Sequence, residues 1–255
     1  MNHAGRRFDG KVAMITGAST GIGRATALGF AREGAKLVLG DINEDEAQET
    51  LRQVEEAGGD ALFQRTDVSV EADVQSLVAA AILRWGRIDA AFNNAGVLPP
   101  AKSLVEMEES DWDKTIGVDL KGVWLCMKHQ IPQMLKQGGG AIVNTTSVAR
   151  VMADPNLAPY VAAKHGVVGL TRAASIEYSR RGVRVNAIAP GGVRTPMISG
   201  WLADAAFMQE LMGRHAIGRL AEPEEMSEAV LFLCSPGASF ITGHVLVIDG
   251  GLTAH

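Results

Sequence analysis

Tyr160 and Lys164, in the run Tyr160-Val161-Ala162-Ala163-Lys164, carry the most pointed chemistry in the chain. On a helix, positions four apart share a face. An ammonium beside a phenol favours the phenolate and lowers its ionisation from about 10. Such a tyrosine can take or give a proton near neutral pH. Ser147 stands 13 residues before Tyr160, at the end of an apolar run that reads as a strand. A hydroxyl there could hold a substrate oxygen. Taken alone, a Tyr–Lys pair at this spacing is more often an ordinary exposed helix pair, so its weight depends on its neighbours.

A second constellation lies near the start of the chain. The strand-like run Lys11 to Thr16 leads into Thr16-Gly17-Ala18-Ser19-Thr20-Gly21-Ile22-Gly23, and a helix follows. Glycines let a backbone approach a pyrophosphate, and a helix N-terminus offers free N–H groups with partial positive charge. The spacing is G-xxx-G-x-G rather than the commoner G-x-G-xx-G, and a glycine-rich turn without a ligand is the competing reading. Asp41 ends the next strand, 18 residues after Gly23. A carboxylate there can accept both hydroxyl hydrogens of an adenosine ribose and repels a 2′-phosphate. Ile42, Asn43 and Glu44 follow without a cation, so NAD is expected rather than NADP; a solvated helix start is the bland alternative. The fourth strand ends in Asn93-Asn94-Ala95-Gly96, and Asp67-Val68 follows the third. Both belong on the ligand edge of a parallel sheet. Asn94 could contact ribose there, with Gly96 beside it, and Asp67 and Val68 could bracket adenine.

These groups need a scaffold, and the chain supplies one by alternating short apolar runs with amphipathic stretches. Strands are expected over 11–16, 36–40, 61–66, 87–93, 141–145, 183–188 and 245–248, with helices between them. Asn43 with Glu46 reads as a capping box, and Pro132 as a possible kink in a helix over 110–136. Strand–helix alternation predicts an α/β fold, a doubly wound parallel sheet with helices on both faces. Seven strands are too few for an eight-fold barrel. No linker interrupts the 255 residues, so one domain is expected over 1–255, with the irregular stretch 191–219 as a substrate lid. Lys and Arg number 24 against 29 Asp and Glu, a net charge of −5, which argues against a nucleic-acid partner. No apolar run approaches the roughly 18 residues of a membrane span, and Met1 to Gly10 lacks the apolar core of a signal peptide. The two cysteines, Cys126 and Cys234, form no metal spacing, and the six histidines form no metal grouping; a cytoplasmic protein without a metal is expected.

Together, Thr16 to Gly23, the Asn93-Asn94-Ala95-Gly96 turn, Ser147, Tyr160 with Lys164 and the later Pro190-Gly191-Gly192-Val193-Arg194-Thr195-Pro196-Met197 resemble the classical short-chain dehydrogenases/reductases in order and spacing. Thr242-Gly243 and Asp249-Gly250-Gly251 resemble that family's ending. The likeness runs from about Phe8 to Thr253. It implies a seven-stranded sheet, a nicotinamide dinucleotide and hydride exchange with an alcohol or carbonyl carbon. By the same resemblance Tyr160 is the acid/base, Lys164 lowers its ionisation and binds ribose, and Ser147 orients the substrate oxygen. Gly17, Ser19, Ile22 and Gly23 would hold the pyrophosphate, Asp41 and Ile42 the adenosine ribose, and Asp67 and Val68 the adenine. Asn94 and Gly96 would lie on the ribose side, and Pro190, Gly191, Val193 and Thr195 against nicotinamide. The family also implies a homotetramer built on two long helices, here carrying Val123, Trp124, Met127 and Ile131, and Val167, Val168, Leu170 and Ala174. One residue departs from the pattern: Asp119 stands where the family usually has Asn, which holds a water of a proton relay. An aspartate could hold that water and attract Lys164, but cannot donate when ionised. Arg150 follows the serine where a small residue is usual, and reads as a surface side chain before a lid-facing cation.

The expected substrate is a small secondary alcohol or ketone with an apolar or cyclic body. The expected pocket residues Val97, Leu98, Val151, Met152, Leu157, Met197, Ile198, Trp201, Phe207 and Met208 are apolar. Arg150, Asn156 and His215 are the polar exceptions, and His215 and His244 read as structural. The alternatives are a 3-oxoacyl-type reductase, which Asp41 and a pI of 5.7 disfavour, and a non-catalytic dinucleotide-sensing protein of the same fold. An intact Ser–Tyr–Lys set argues against the latter.

Overall fold

A computed structural model describes residues 5–150, 153, 155–202 and 204–254 of the chain. The first half runs β1 (Val12–Thr16), α1 (Gly21–Arg32), β2 (Lys36–Asp41), α2 (Glu44–Glu56), β3 (Asp60–Arg65), α3 (Glu71–Trp85) and β4 (Ala90–Asn93). The second runs α4 (Glu109–Ile116), a π-helical turn (Gly117–Lys121), α5 (Gly122–Lys136), β5 (Gly140–Thr145), α6 (Ala158–Tyr178), β6 (Val183–Pro190), α7 (Ser199–Leu202), α8 (Ala205–Arg214), α9 (Pro223–Cys234) and β7 (Val245–Ile248). The seven strands form one sheet in the order β3-β2-β1-β4-β5-β6-β7, and every pair is parallel. The fold is a single Rossmann-type α/β domain, as the alternation predicts.

Alternate strand residues serve opposite layers, because side chains on a strand point to opposite faces. Ala13, Ile15, Leu37, Leu39, Ala141 and Val143 pack in one core with Phe30 of α1 and Val230 and Leu231 of α9. Val12, Met14, Val38 and Ile142 pack in the other with Leu77 of α3, Val123, Met127 and Ile131 of α5, and Val167 of α6. Both faces are therefore covered, which is why the strands read as continuous apolar runs rather than alternating ones. Each buried Leu, Phe or Val contributes about 1.5–3 kcal/mol against exposure, so this double core dominates the stability.

Several local expectations need correcting. Asn43 caps α2 by accepting from the Glu46 N–H, but the return bond of a capping box goes elsewhere. The Asn43 N–H donates to Asp41, and the Glu46 carboxylate pairs with Arg24. Helix α5 continues through Pro132; the irregular turn lies earlier, around Asp119. The stretch 191–219 is more helical than expected, holding α7 and α8. Val123, Met127, Ile131, Val167 and Ala174 are buried in the chain's own core, so they offer no surface to another subunit. Of the eight apolar residues expected on that surface only Trp124, at 44%, is substantially exposed; Ile176 of α6, at 81%, was not singled out by the sequence. No helix among the described residues is long and apolar enough to cross a membrane, and none of their His, Cys, Asp or Glu side chains form a group that could hold a metal.

Candidate active site

Between β1 and β4 the strand order reverses, and at such a point the connections leave in opposite directions and open a crevice beyond the strand C-termini. A cavity of about 510 Å³ lies there. Its floor is the β1–α1 turn. Gly17 has φ +64°, and a Cβ there would stand 2.8 Å from the Ala95 backbone. Gly23 is pressed onto the Gly17 carbonyl so closely that a Cβ could not fit. Thr20 caps α1 without a side-chain bond to it, so the first-turn N–H groups receive no acceptor from the cap. Gly17, Thr20, Gly21 and Ile22 line the cavity, and this glycine cradle fits the pyrophosphate of a dinucleotide. Ser19 and Gly23 do not line it. Ser19 is buried, donates through Oγ to the Asn43 carbonyl, and is a strut of the turn rather than a cavity residue. Gly23 serves the same turn by its lack of a side chain.

At one end of the cavity stand Asp41, Ile42, Asp67 and Val68. The Asp41 carboxylate accepts from the Ser19 N–H at 2.9 Å and the Asn43 N–H at 3.0 Å, which fixes its plane. Ile42 is 61% exposed, an open apolar surface beside that carboxylate. The Asp67 side chain accepts from the N–H and hydroxyl of Ser69. Arg24 of α1 and Arg65 of β3 are committed to other partners: Arg24 to Glu46, and Arg65 to Glu44 and Asp73. Asn94 bridges two strands, donating to the Gly17 carbonyl at 3.1 Å and accepting from the Thr145 hydroxyl at 3.3 Å. It lines the cavity with Gly96.

Ser147, Tyr160 and Lys164 face the same space, brought there by the end of β5 and the first turns of α6. Lys164 is only 3% exposed; its Nζ lies 5.3 Å from the Tyr160 ring centre and donates to the Thr145 carbonyl at 3.3 Å. The Ser147 hydroxyl accepts from the Ala149 N–H at 3.1 Å, which leaves its own O–H to donate. Asp119 lies behind Lys164, fully buried and off the cavity wall. Its Oδ1 accepts from the Val97 N–H at 2.8 Å and its Oδ2 is 3.0 Å from Lys164 Nζ. Burial pushes the Asp119 carboxyl up and tends to push the Lys164 ammonium down; attraction to Asp119 overcomes burial at Lys164, which is held above the ordinary lysine range.

Comparison with known proteins agrees with this geometry. Residues 17–253 match the family model described as enoyl-(acyl carrier protein) reductase. The chain is 42% identical to a cyclohexanol dehydrogenase of Acinetobacter sp. (strain SE19) over 249 residues, covering 97% of both chains. It is 44% identical to a cis-4-hydroxycyclohexanecarboxylate dehydrogenase of Sinomonas cyclohexanicum, covering 98% of this chain and 99% of that one. The crystal structure of a levodione reductase superposes with a TM-score of 0.95 at 39% identity, over 97% of this chain and 99% of that one. The chain belongs to the short-chain dehydrogenase/reductase family. It is an oxidoreductase with an NAD(P)-binding Rossmann fold.

In this short-chain dehydrogenase/reductase much of the remaining cavity wall comes from the C-terminal half. Pro190, Gly191, Val193 and Thr195 line it, joined by Gly192, Arg214 and Leu252, which the sequence did not single out. Val97, Leu98, Val148, Leu157, Met197, Ile198 and Leu211 give the wall an apolar character. Phe207 and Met208 are off that wall: Met208 is buried against Ile198 and Leu220, and packs α8 onto the body. Val151, Met152 and the side chains of Arg150 and Trp201 lie outside the described residues. Asn156 has φ +67° and its carbonyl accepts from the Lys102 N–H.

His215 is structural, as expected, but its place is informative. The buried ring accepts the Gly192 N–H on Nε2 at 3.0 Å and faces the Leu211 carbonyl through Nδ1 at 2.8 Å. Both bonds require a neutral ring with its proton on Nδ1. It thus ties the end of α8 to the loop after β6. His215→Ala should weaken dinucleotide binding about two- to tenfold, the worth of one lost hydrogen bond, and lower the melting temperature. NADH fluorescence titration and thermal unfolding check this; an unchanged Kd and Tm would show that the ring does not hold the loop.

Proposed function

We propose that the protein is an NAD(H)-dependent dehydrogenase that interconverts cyclic secondary alcohols and ketones. One observation carries the reading: Ser147, Tyr160 and Lys164 converge on a single cavity with a glycine cradle and Asp41 at one end and an apolar wall at the other. The cyclohexanol and hydroxycyclohexanecarboxylate dehydrogenases among its relatives support a ring-shaped substrate, and the apolar wall would take up such a ring by burial.

A bound nicotinamide supplies the hydride acceptor for oxidation and the donor for reduction. The chain's own residues manage the proton and the oxygen. The Ser147 O–H donates to the substrate oxygen and holds it. The Tyr160 phenolate takes the O–H proton as the alcohol becomes a carbonyl, and returns it in reduction. Lys164, charged and buried, favours that phenolate and reaches toward ribose with the N–H that Asp119 and Thr145 leave over. Asp41 accepts from the adenosine ribose hydroxyls and repels a 2′-phosphate. Residues 191–219 close over the substrate. The apolar surface of Trp124 and Ile176 supports a homotetramer packed through α5 and α6.

Cofactor preference follows from Asp41. The kcat/KM for NAD should exceed that for NADP strongly, and Asp41→Ala should narrow the ratio; equal values in the unmutated protein exclude this role. Light scattering at micromolar concentration should show an assembly of four 27.0 kDa chains, whereas a monomer argues against the packing. Tyr160→Phe should lower kcat for cyclohexanol oxidation at least about a hundredfold, the lower bound of general acid–base catalysis, with NADH affinity nearly intact. Retention of more activity than that would assign the proton to another group.

A further inference from the structure

Two hydrogen-bearing groups face the Asp119 side chain: the Val97 N–H, which donates to Oδ1 at 2.8 Å, and the Lys164 ammonium, which forms an ion pair with Oδ2 at 3.0 Å and is that oxygen's one polar neighbour among the described residues. Each approaches a different oxygen, and no solvent reaches either partner appreciably, since Asp119 is 0% and Lys164 3% exposed. A group that accepts the one and carries charge opposite to the other suits both neighbours, which is an ionised carboxylate. An asparagine at this position has one acceptor and one donor. Whichever way its amide turns, an N–H₂ faces either Val97 N–H or Lys164. The equivalence with Asn that a relay water would allow therefore does not hold for this site.

The backbone is arranged to bring this carboxylate in. Asp119 is the middle residue of the π-helical turn Gly117–Lys121, with Gly117 and Val118 on the cavity wall and Asp119 behind it. Wider turns of this kind are rare, occur mostly as single-turn insertions within α-helices, and are frequent at functional sites. Gly96 completes the enclosure, since a Cβ there would lie 3.3 Å from Asp119 Oδ2 and 3.6 Å from Lys164 Nζ.

We propose that Asp119 is the counter-ion that keeps the buried Lys164 charged whether or not a cofactor is bound, and through Lys164 sets the pH range in which Tyr160 accepts a proton. It is a positioning residue acting on charge, and its effect on turnover rests on the alcohol-oxidising role of Tyr160. Without a counter-ion a buried ammonium sheds its proton, because burial disfavours the charged form. A neutral Lys164 no longer favours the Tyr160 phenolate, so the tyrosine ionises at higher pH.

No other described charge takes over this task. Asp119 is the carboxylate paired with Lys164, and the Tyr160 ring lies beside its ammonium. On α4, Asp111 is paired with Lys102, and Asp113 and Lys114 stand exposed at the cavity rim. Lys121 donates to the Ser69 carbonyl, Arg184 of β6 to the carbonyls of Leu233, Ser235 and Ile241, and His165 of α6 faces the Val161 carbonyl.

Two measurements on Asp119→Asn and the unmutated protein test this. In protein labelled at lysine Cε, the Lys164 carbon signal should stay that of an ammonium up to at least about pH 10.4, the ordinary lysine value, and should titrate at least about one unit lower in the variant. The rising limb of kcat/KM for alcohol oxidation should move to higher pH by at least about one unit, a tenfold loss on the limb, with the alkaline plateau largely kept. A purely structural role would lower the rate by one factor at every pH, and that result, an unmoved limb, or a limb moved to lower pH overturns the proposal. If the variant does not fold, the unmutated protein decides: a Lys164 that titrates below the ordinary range overturns it, and one that stays charged supports it. The lysine titration needs no substrate, so failure to oxidise any cyclic alcohol would count against the proposed activity and leave this test readable.

Discussion

A side chain at Gly23 would overlap the Gly17 carbonyl, and one at Gly17 would run into Ala95, so the first turn of α1, the end of β1 and the segment after β4 can meet only as bare backbone. The approach matters because it fixes the distance between the cradle and everything beyond it. Thr16 Oγ1 accepts from the N–H groups of Asn94 and Ala95, and Asn94 donates to Gly17. Thr145 donates to Asn94 from β5, Lys164 donates to the Thr145 carbonyl, and the Thr146 hydroxyl donates to the Lys164 carbonyl. A continuous series of bonds thus runs from the cradle to the lysine across three strands and a helix. A bulkier residue at either glycine would open its first link.

The far end of that series holds a charge in a place that disfavours charge. An ammonium removed from water is costly, and the attraction of a partner repays the cost only when geometry is good and the remaining polar groups are satisfied. Here Asp119 accepts the Val97 N–H on one oxygen and meets the Lys164 ammonium as an ion pair with the other, and Lys164 donates to the Thr145 carbonyl besides. Removing one member of such a pair typically costs 3–5 kcal/mol, far more than a surface ion pair contributes. The surface pairs of Arg52 with Glu49 and Arg219 with Glu225 belong to that lesser class.

The C-terminal wall is held by different means. His215 and Met208 anchor α8 to the body by a neutral hydrogen bond and by apolar packing, neither of which depends on the glycine turn. The cavity is therefore bounded on one side by a backbone junction and on the other by a helix held through its side chains.

The order and type of the seven strands, the start of α1 and the junction of β1 with α1 were determined by the sequence alone. Each rests on local preference: continuous apolar runs for strands covered on both faces, Asn43 at a cap, glycine where backbone must approach backbone. The convergence of Ser147, Tyr160 and Lys164 was legible through spacing and through resemblance to a family. Other features depended on distances between remote segments, which no local pattern encodes. Asp119 and Lys164 are fully opposed only because a π-helical turn and α6 pack together, and His215 meets Gly192 only because α8 folds back. Ser19 sits in the glycine motif yet turns inward to Asn43, and Met208 sits in the lid yet faces the core. A sequence states which residues are apolar, small or charged; which side of an element each one shows, and to whom, is settled by packing.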